Sequence, residues 1–90
     1  MRQSIPTGAF KRDYKRIKRG DPQLDAVLVP VLTLLAHGSP LPPRHVDHPL
    51  GGPWKGYRDC HIRPDLVLIY KMDEKTLTLV RLGSHSELFG

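Results

Sequence analysis

The sequence predicts one α+β domain in which a short N-terminal strand and two helices pack on one face of a small, mostly antiparallel sheet. Three observations point there. Residues 7–38 hold two stretches with apolar side chains at helical spacing, and residues 54–82 hold three strand-like runs divided by two tight turns. The chain has 90 residues with 39% hydrophobic content, enough for a single modest core over residues 1–90 and no second domain.

Taken in order, Arg2 to Ile5 reads as an edge strand closed by Pro6, which has no N–H to give a ladder. Thr7 is placed to cap a first helix whose apolar positions are Phe10, Tyr14 and Ile17 and whose other faces are filled with Lys and Arg. Gly20 ends it. Asp21 is expected to cap a second helix with Pro22 at its first position and Leu24, Val27, Leu28, Val31, Leu34 and Leu35 as its stripe, before Gly38 stops it. Pro30 lies inside that stripe and should kink or split the helix. From Ser39 to Pro53 the frequency of Pro and Gly predicts an extended loop. Trp54 to Ile62, Leu66 to Met72 and Thr76 to Leu82 then read as strands joined by turns at Arg63-Pro64-Asp65 and Asp73-Glu74-Lys75. The helices should cover one face of this meander and leave the other open.

Charge and cysteine content narrow the function. Fourteen Lys and Arg against nine Asp and Glu give a formal charge of +5, which favours a polyanionic partner such as nucleic acid or an acidic protein. Cys60 is the single cysteine, so no internal disulfide can form, and a reducing compartment is expected, with Cys60 a small buried hydrophobe. No apolar run approaches the roughly 20 residues that span a bilayer, and the first residues lack an apolar signal core. A cytoplasmic protein with no membrane partner is expected.

The residues that could carry chemistry lie between Asp47 and Gly90. Strand alternation puts Lys55, Tyr57, Asp59 and His61 on one face and Trp54, Arg58, Cys60 and Ile62 on the other. The second set is the more apolar and is assigned to the core, with Arg58 the misfit. Tyr57 and His61 then occupy the open face, Asp65 sits across the turn where it could orient His61 or raise its pKa, and His85 follows the last strand. His48, in the loop before the first of these strands, is the fourth candidate, while His37 and His45 are read as solvated. Cleavage of RNA without a metal needs a group to take the 2′-hydroxyl proton, one to protonate the 5′-oxygen, and donors to hold charge on the phosphate. Single-stranded RNA is also held by ring stacking and cations, for which Tyr57, Phe89, Lys55, Lys71 and Arg81 are available. Each histidine alone could be structural instead. A zinc site of His48, His61 and His85 is disfavoured because no two lie at a compact ligand spacing, and no cofactor is expected.

Asp47-His48-Pro49-Leu50, Trp54-Lys55-Gly56-Tyr57-Arg58-Asp59, His61, Pro64-Asp65, Ile69-Tyr70-Lys71 and the C-terminal Gly83-Ser84-His85-Ser86-Glu87-Leu88-Phe89-Gly90 resemble the YafQ family of bacterial toxins, within the RelE superfamily of mRNA interferases. The resemblance is dense over Asp47 to Gly90 and one of pattern before that. It implies a microbial-ribonuclease-like α+β fold and a toxin that cleaves mRNA in the A site of the 70S ribosome. It also implies a cognate antitoxin with an acidic, partly disordered segment, in a toxin–antitoxin heterotetramer. Carried over by position, His85 would be the general acid, while His48, His61 and Asp65 would handle the 2′-hydroxyl and the phosphate. Phe89 would position the substrate base or brace the site. Pro30 departs from the pattern expected of that family. The alternatives are a non-catalytic basic module binding RNA or the ribosome, and a domain whose basic face serves only an acidic protein.

Overall fold

The computed structural model describes residues 1–90. Its five-stranded sheet has the order β1-β5-β4-β3-β2, from β1 (Gln3–Pro6), β2 (His48–Pro49), β3 (Arg58–Arg63), β4 (Leu66–Met72) and β5 (Thr76–Gly83). β1 runs parallel to β5, and all the other pairs are antiparallel. Between β1 and β2 come α1 (Gly8–Gly20) and α2 (Leu24–Ala36), and a short α3 (His85–Phe89) closes the chain.

Thr7 both starts α1 and fastens it to the sheet. Its hydroxyl oxygen accepts the Phe10 amide hydrogen at 3.1 Å and donates to the Val80 carbonyl at 2.9 Å. The second helix begins at Leu24, not at Pro22 as the sequence predicts. Asp21 holds the turn before it, accepting from the Gln23 amide, and spends its other carboxylate contacts on Arg63. Nor does Pro30 split α2, which runs unbroken from Leu24 to Ala36. Pro30 and Ala26, whose carbonyl loses its helical donor, are both exposed, so water can serve that oxygen.

The sheet has two covered faces. On one, Phe10 of α1 and Leu24, Leu28, Val31 and Leu35 of α2 bury Cys60, Ile62, Leu68, Tyr70, Leu77, Leu79 and Leu82. Burial pushes the Cys60 thiol up to about 12, so it packs as an inert apolar group. The other face is not left open. Val67 and Ile69 are covered by Leu88 of α3 and by Leu50, Trp54, Tyr57 and Val80. Trp54 therefore lies opposite to its expected side. The first meander strand starts at Arg58, and the chain before it turns through a 3₁₀ segment at Gly52–Trp54 and a left-handed Gly56. Alternation does not hold through such a turn, so Trp54 meets Tyr57 edge to face, 5.5 Å between ring centres.

Candidate active site

The sheet's second face gathers His48, Asp59, His61, Asp65 and His85. His48 of β2 is paired in register with Asp59 of β3, and His61 lies two residues beyond Asp59, on the same face of that strand. The His85 ring meets His61 edge to face at 5.0 Å and Phe89 at 6.4 Å. All the catalytic candidates named from the sequence are thus near one another, although up to 37 positions separate them along the chain.

The Asp65 carboxylate serves His85, not His61. One of its oxygens accepts the His85 backbone N–H at 3.0 Å and the Nδ1–H at 2.7 Å. The bonds from His85, backbone first, hold the Asp65 carboxyl below the usual carboxylate range. With Nδ1 committed to a carboxylate, Nε2 is the nitrogen left to exchange a proton. His85 is the first residue of a helix. Ser84 and Glu87 close a reciprocal capping box around that start, the Ser84 hydroxyl accepting from the Glu87 amide and the Glu87 carboxylate from the Ser84 amide. The Ser-x-x-Glu spacing was legible in the sequence.

The loop before β2 is pinned at three points. Tyr70 of β4 donates its hydroxyl to Asp47, and Arg58 reaches both Asp47 and Tyr70, which satisfies the guanidinium that fitted the core poorly. His45 is buried where solvation was expected, its Nδ1 2.7 Å from the His61 carbonyl. Val46, between them, has a left-handed backbone (φ 47°), which a β-branched residue rarely adopts. That conformation brings the Val46 carbonyl to 2.8 Å from His48 Nδ1.

Asp59 is placed by the sequence beside His61 on the face expected to be open and is given no role. It is 3% exposed, and its Oδ1 has no hydrogen-bond partner, although His48 Nδ1 lies 3.0 Å away. A single proton on Nδ1 bonds one acceptor well, and here it goes to Val46. Burial raises the Asp59 pKa, against the opposing pull of His48, His61 and His85.

Among the binding candidates, Lys71 holds its ammonium 5.5 Å from the centre of the Tyr57 ring, Lys55 is exposed, and Phe89 is exposed beside His85. Arg81 is not a free cation. Its guanidinium grips Asp13 of α1 through two bonds, at 2.7 and 3.3 Å. No three His, Cys, Asp or Glu side chains gather around one point as metal ligands would.

A family profile described as a bacterial toxin of type II toxin-antitoxin systems, YafQ, matches residues 2–90. The mRNA interferase toxin YafQ of Escherichia coli strain K12 is 39% identical over 84 residues, which cover 93% of this chain and 91% of that protein. Among solved structures, the toxin of the E. coli DinJ–YafQ complex is similar at TM-score 0.89 and 41% identity over the whole of both chains. A copper-bound mutant toxin from Helicobacter pylori is similar at TM-score 0.94 and 40% identity, with 99% of this chain and 100% of that one covered.

Proposed function

This chain belongs to the YafQ family of type II toxins, and we propose that it blocks translation by cutting ribosome-bound mRNA in the A site through acid–base chemistry on its own imidazoles. It is an mRNA interferase toxin, and residues 1–90 form its single endoribonuclease domain. The observation that carries the chemistry is the Asp65–His85 pair set against His61.

His48 Nε2 removes the 2′-hydroxyl proton, the 2′-oxygen attacks phosphorus, and the imidazolium of His85 gives its Nε2 proton to the departing 5′-oxygen. His61 stands beside His85 to hold the charge that builds on the phosphate. The 5′-oxygen leaves as a hydroxyl, and the other product carries a 2′,3′-cyclic phosphate. Phe89 stacks on a base next to the scissile bond, and Tyr57 offers a second platform. Lys55 and Lys71 supply cations along the strand, Arg81 being held by Asp13.

The toxin acts in the cytoplasm, where ribosomes are. No helix is long and apolar enough to cross a membrane. As DinJ partners YafQ in the E. coli complex, an acidic and partly disordered segment of a cognate antitoxin covers the basic surface of this chain, in a heterotetramer.

The test is induced expression followed by mapping of mRNA ends, in parallel with purified toxin on programmed ribosomes. Wild-type protein is expected to cut, with or without EDTA, and His85→Ala to remain folded and lose at least about 10²-fold in rate. Intact messages on stalled ribosomes would identify a non-catalytic ribosome-binding module instead. A requirement for metal would overturn the imidazole-only chemistry.

A further inference from the structure

We propose that Asp59 is a positioning residue that holds and charges His48 from beneath, doing for the general base what Asp65 does for the general acid. The assignment rests on the ribonuclease chemistry proposed for these histidines. Two features set Asp59 apart from an ordinary surface carboxylate. It is almost fully buried, and one of its oxygens has no hydrogen bond. A buried acceptor without a donor destabilises a fold, so its presence calls for a compensating role.

The register shows what that role is. The antiparallel pairing of His48 with Asp59 puts the carboxylate under the imidazole, with Oδ1 3.0 Å from Nδ1. In the resting ring the Nδ1 proton faces Val46, and Oδ1 waits as a second acceptor. When Nε2 takes the 2′-hydroxyl proton the ring becomes a cation. It then lies against a carboxylate shielded from water, where the attraction is stronger than at the surface. Both neighbours of Nδ1 are acceptors, so the proton stays on that nitrogen and Nε2 faces the substrate.

The charges around Asp59 come from every element packed on it. His48 stands on β2 and Asp47 just before it, His61 follows on β3, and His85 approaches from α3, while its partner on β4 is the apolar Ile69. Asp47 is itself answered by Arg58 and Tyr70. Asp59 is thus a buried carboxylate ringed by three imidazoles, of which His48 is the one in direct contact with it.

Asp59→Asn removes the charge and keeps the shape. Three readouts are expected to move together. The Tm at neutral pH rises, by about 4–8 °C for a domain of this size. Because the folded-state pKa of Asp59 is raised, its penalty is absent below the unfolded pKa and complete above the folded one, so this gain should fade as pH falls through that range. The single-turnover rate on ribosomes falls about 10²-fold with KM unchanged. The acid limb of the rate–pH profile moves to lower pH, because a base that has lost its anion gives up its proton more readily.

A double-mutant cycle locates the effect. In a His48→Gln background, Asp59→Asn should cost nothing further in rate. Additive losses would show that Asp59 acts elsewhere and overturn the proposal, as would an Asp59→Asn chain that cuts at the wild-type rate with the wild-type profile, or one that is less stable at neutral pH. Wild-type protein that leaves messages intact would overturn the ribonuclease chemistry and this assignment together. Cutting by the wild type, with no effect of Asp59→Asn, sinks the assignment alone.

Discussion

A residue's chemistry here is set by which carboxylate its imidazole meets, and Asp65 shows how narrowly. Its side chain is largely exposed, yet it accepts both the backbone and the ring N–H of His85. Asp65→Asn keeps an acceptor but loses the charge that favours the imidazolium, so cleavage is expected to fall about tenfold. Thermal stability should change by less than about 0.5 kcal/mol, as for other exposed sites. Unchanged cleavage in a folded Asp65→Asn chain would mean that His85 needs no anionic partner. His48, His61, Asp65 and His85, the candidates named from the sequence, lie near one another because the strands and turns that carry them are of legible type. The sequence misjudged the pairing of Asp65, since nearness along the chain favoured His61 across the turn. Asp59 is placed by alternation on the face of His61 but given no role, because its burial is not a property of its spacing.

Elements formed largely where their patterns placed them, and the departures have local causes. Pro30 is the clearest: its ring removes one helical donor, but Pro30 and Ala26 are both exposed, where water can serve the freed carbonyl, and α2 continues. Pro30→Ala should restore that bond and stabilise the fold by about 1–3 kcal/mol in urea titrations. No gain would show that α2 tolerates the missing bond without cost. The short α3 is absent from the sequence reading, since its five residues are too few to show a helical apolar period and the Ser84–Glu87 capping spacing was its one signal. Trp54 went to the unexpected face because a strand's alternation was extended through Gly56, whose φ of 93° belongs to a turn. β2 is two residues long and includes Pro49, so composition read it as loop.

For the molecule as a whole, the contacts that hold helices to sheet join residues far apart in the chain. Asp13, nearly buried on α1, accepts from the Arg81 guanidinium and from the Leu82 amide on β5. Burial raises its pKa, but the bonds from Arg81 and Leu82 and the nearby charges outweigh that and lower it overall. A depressed folded-state pKa contributes stability above the unfolded value, about 3.9, that is lost as pH falls through the folded one. Asp13→Asn should therefore lower stability at pH 7 by about 2 kcal/mol, and the gap from wild type should close in acid, as followed by thermal melts from pH 7 to 2. A gap that stays constant with pH would assign the loss to packing. By itself the sequence determined the α+β class, the two main helices and the three long strands, because these follow from local periodicity and side-chain type. Only the tertiary structure decided that β1 joins β5 in parallel, that Arg81 is held by Asp13, that Asp65 serves His85, and that Asp59 lies unpaired under His48. Each of these depends on which distant segment arrives alongside, and that is settled by how the whole chain buries its apolar surface at once.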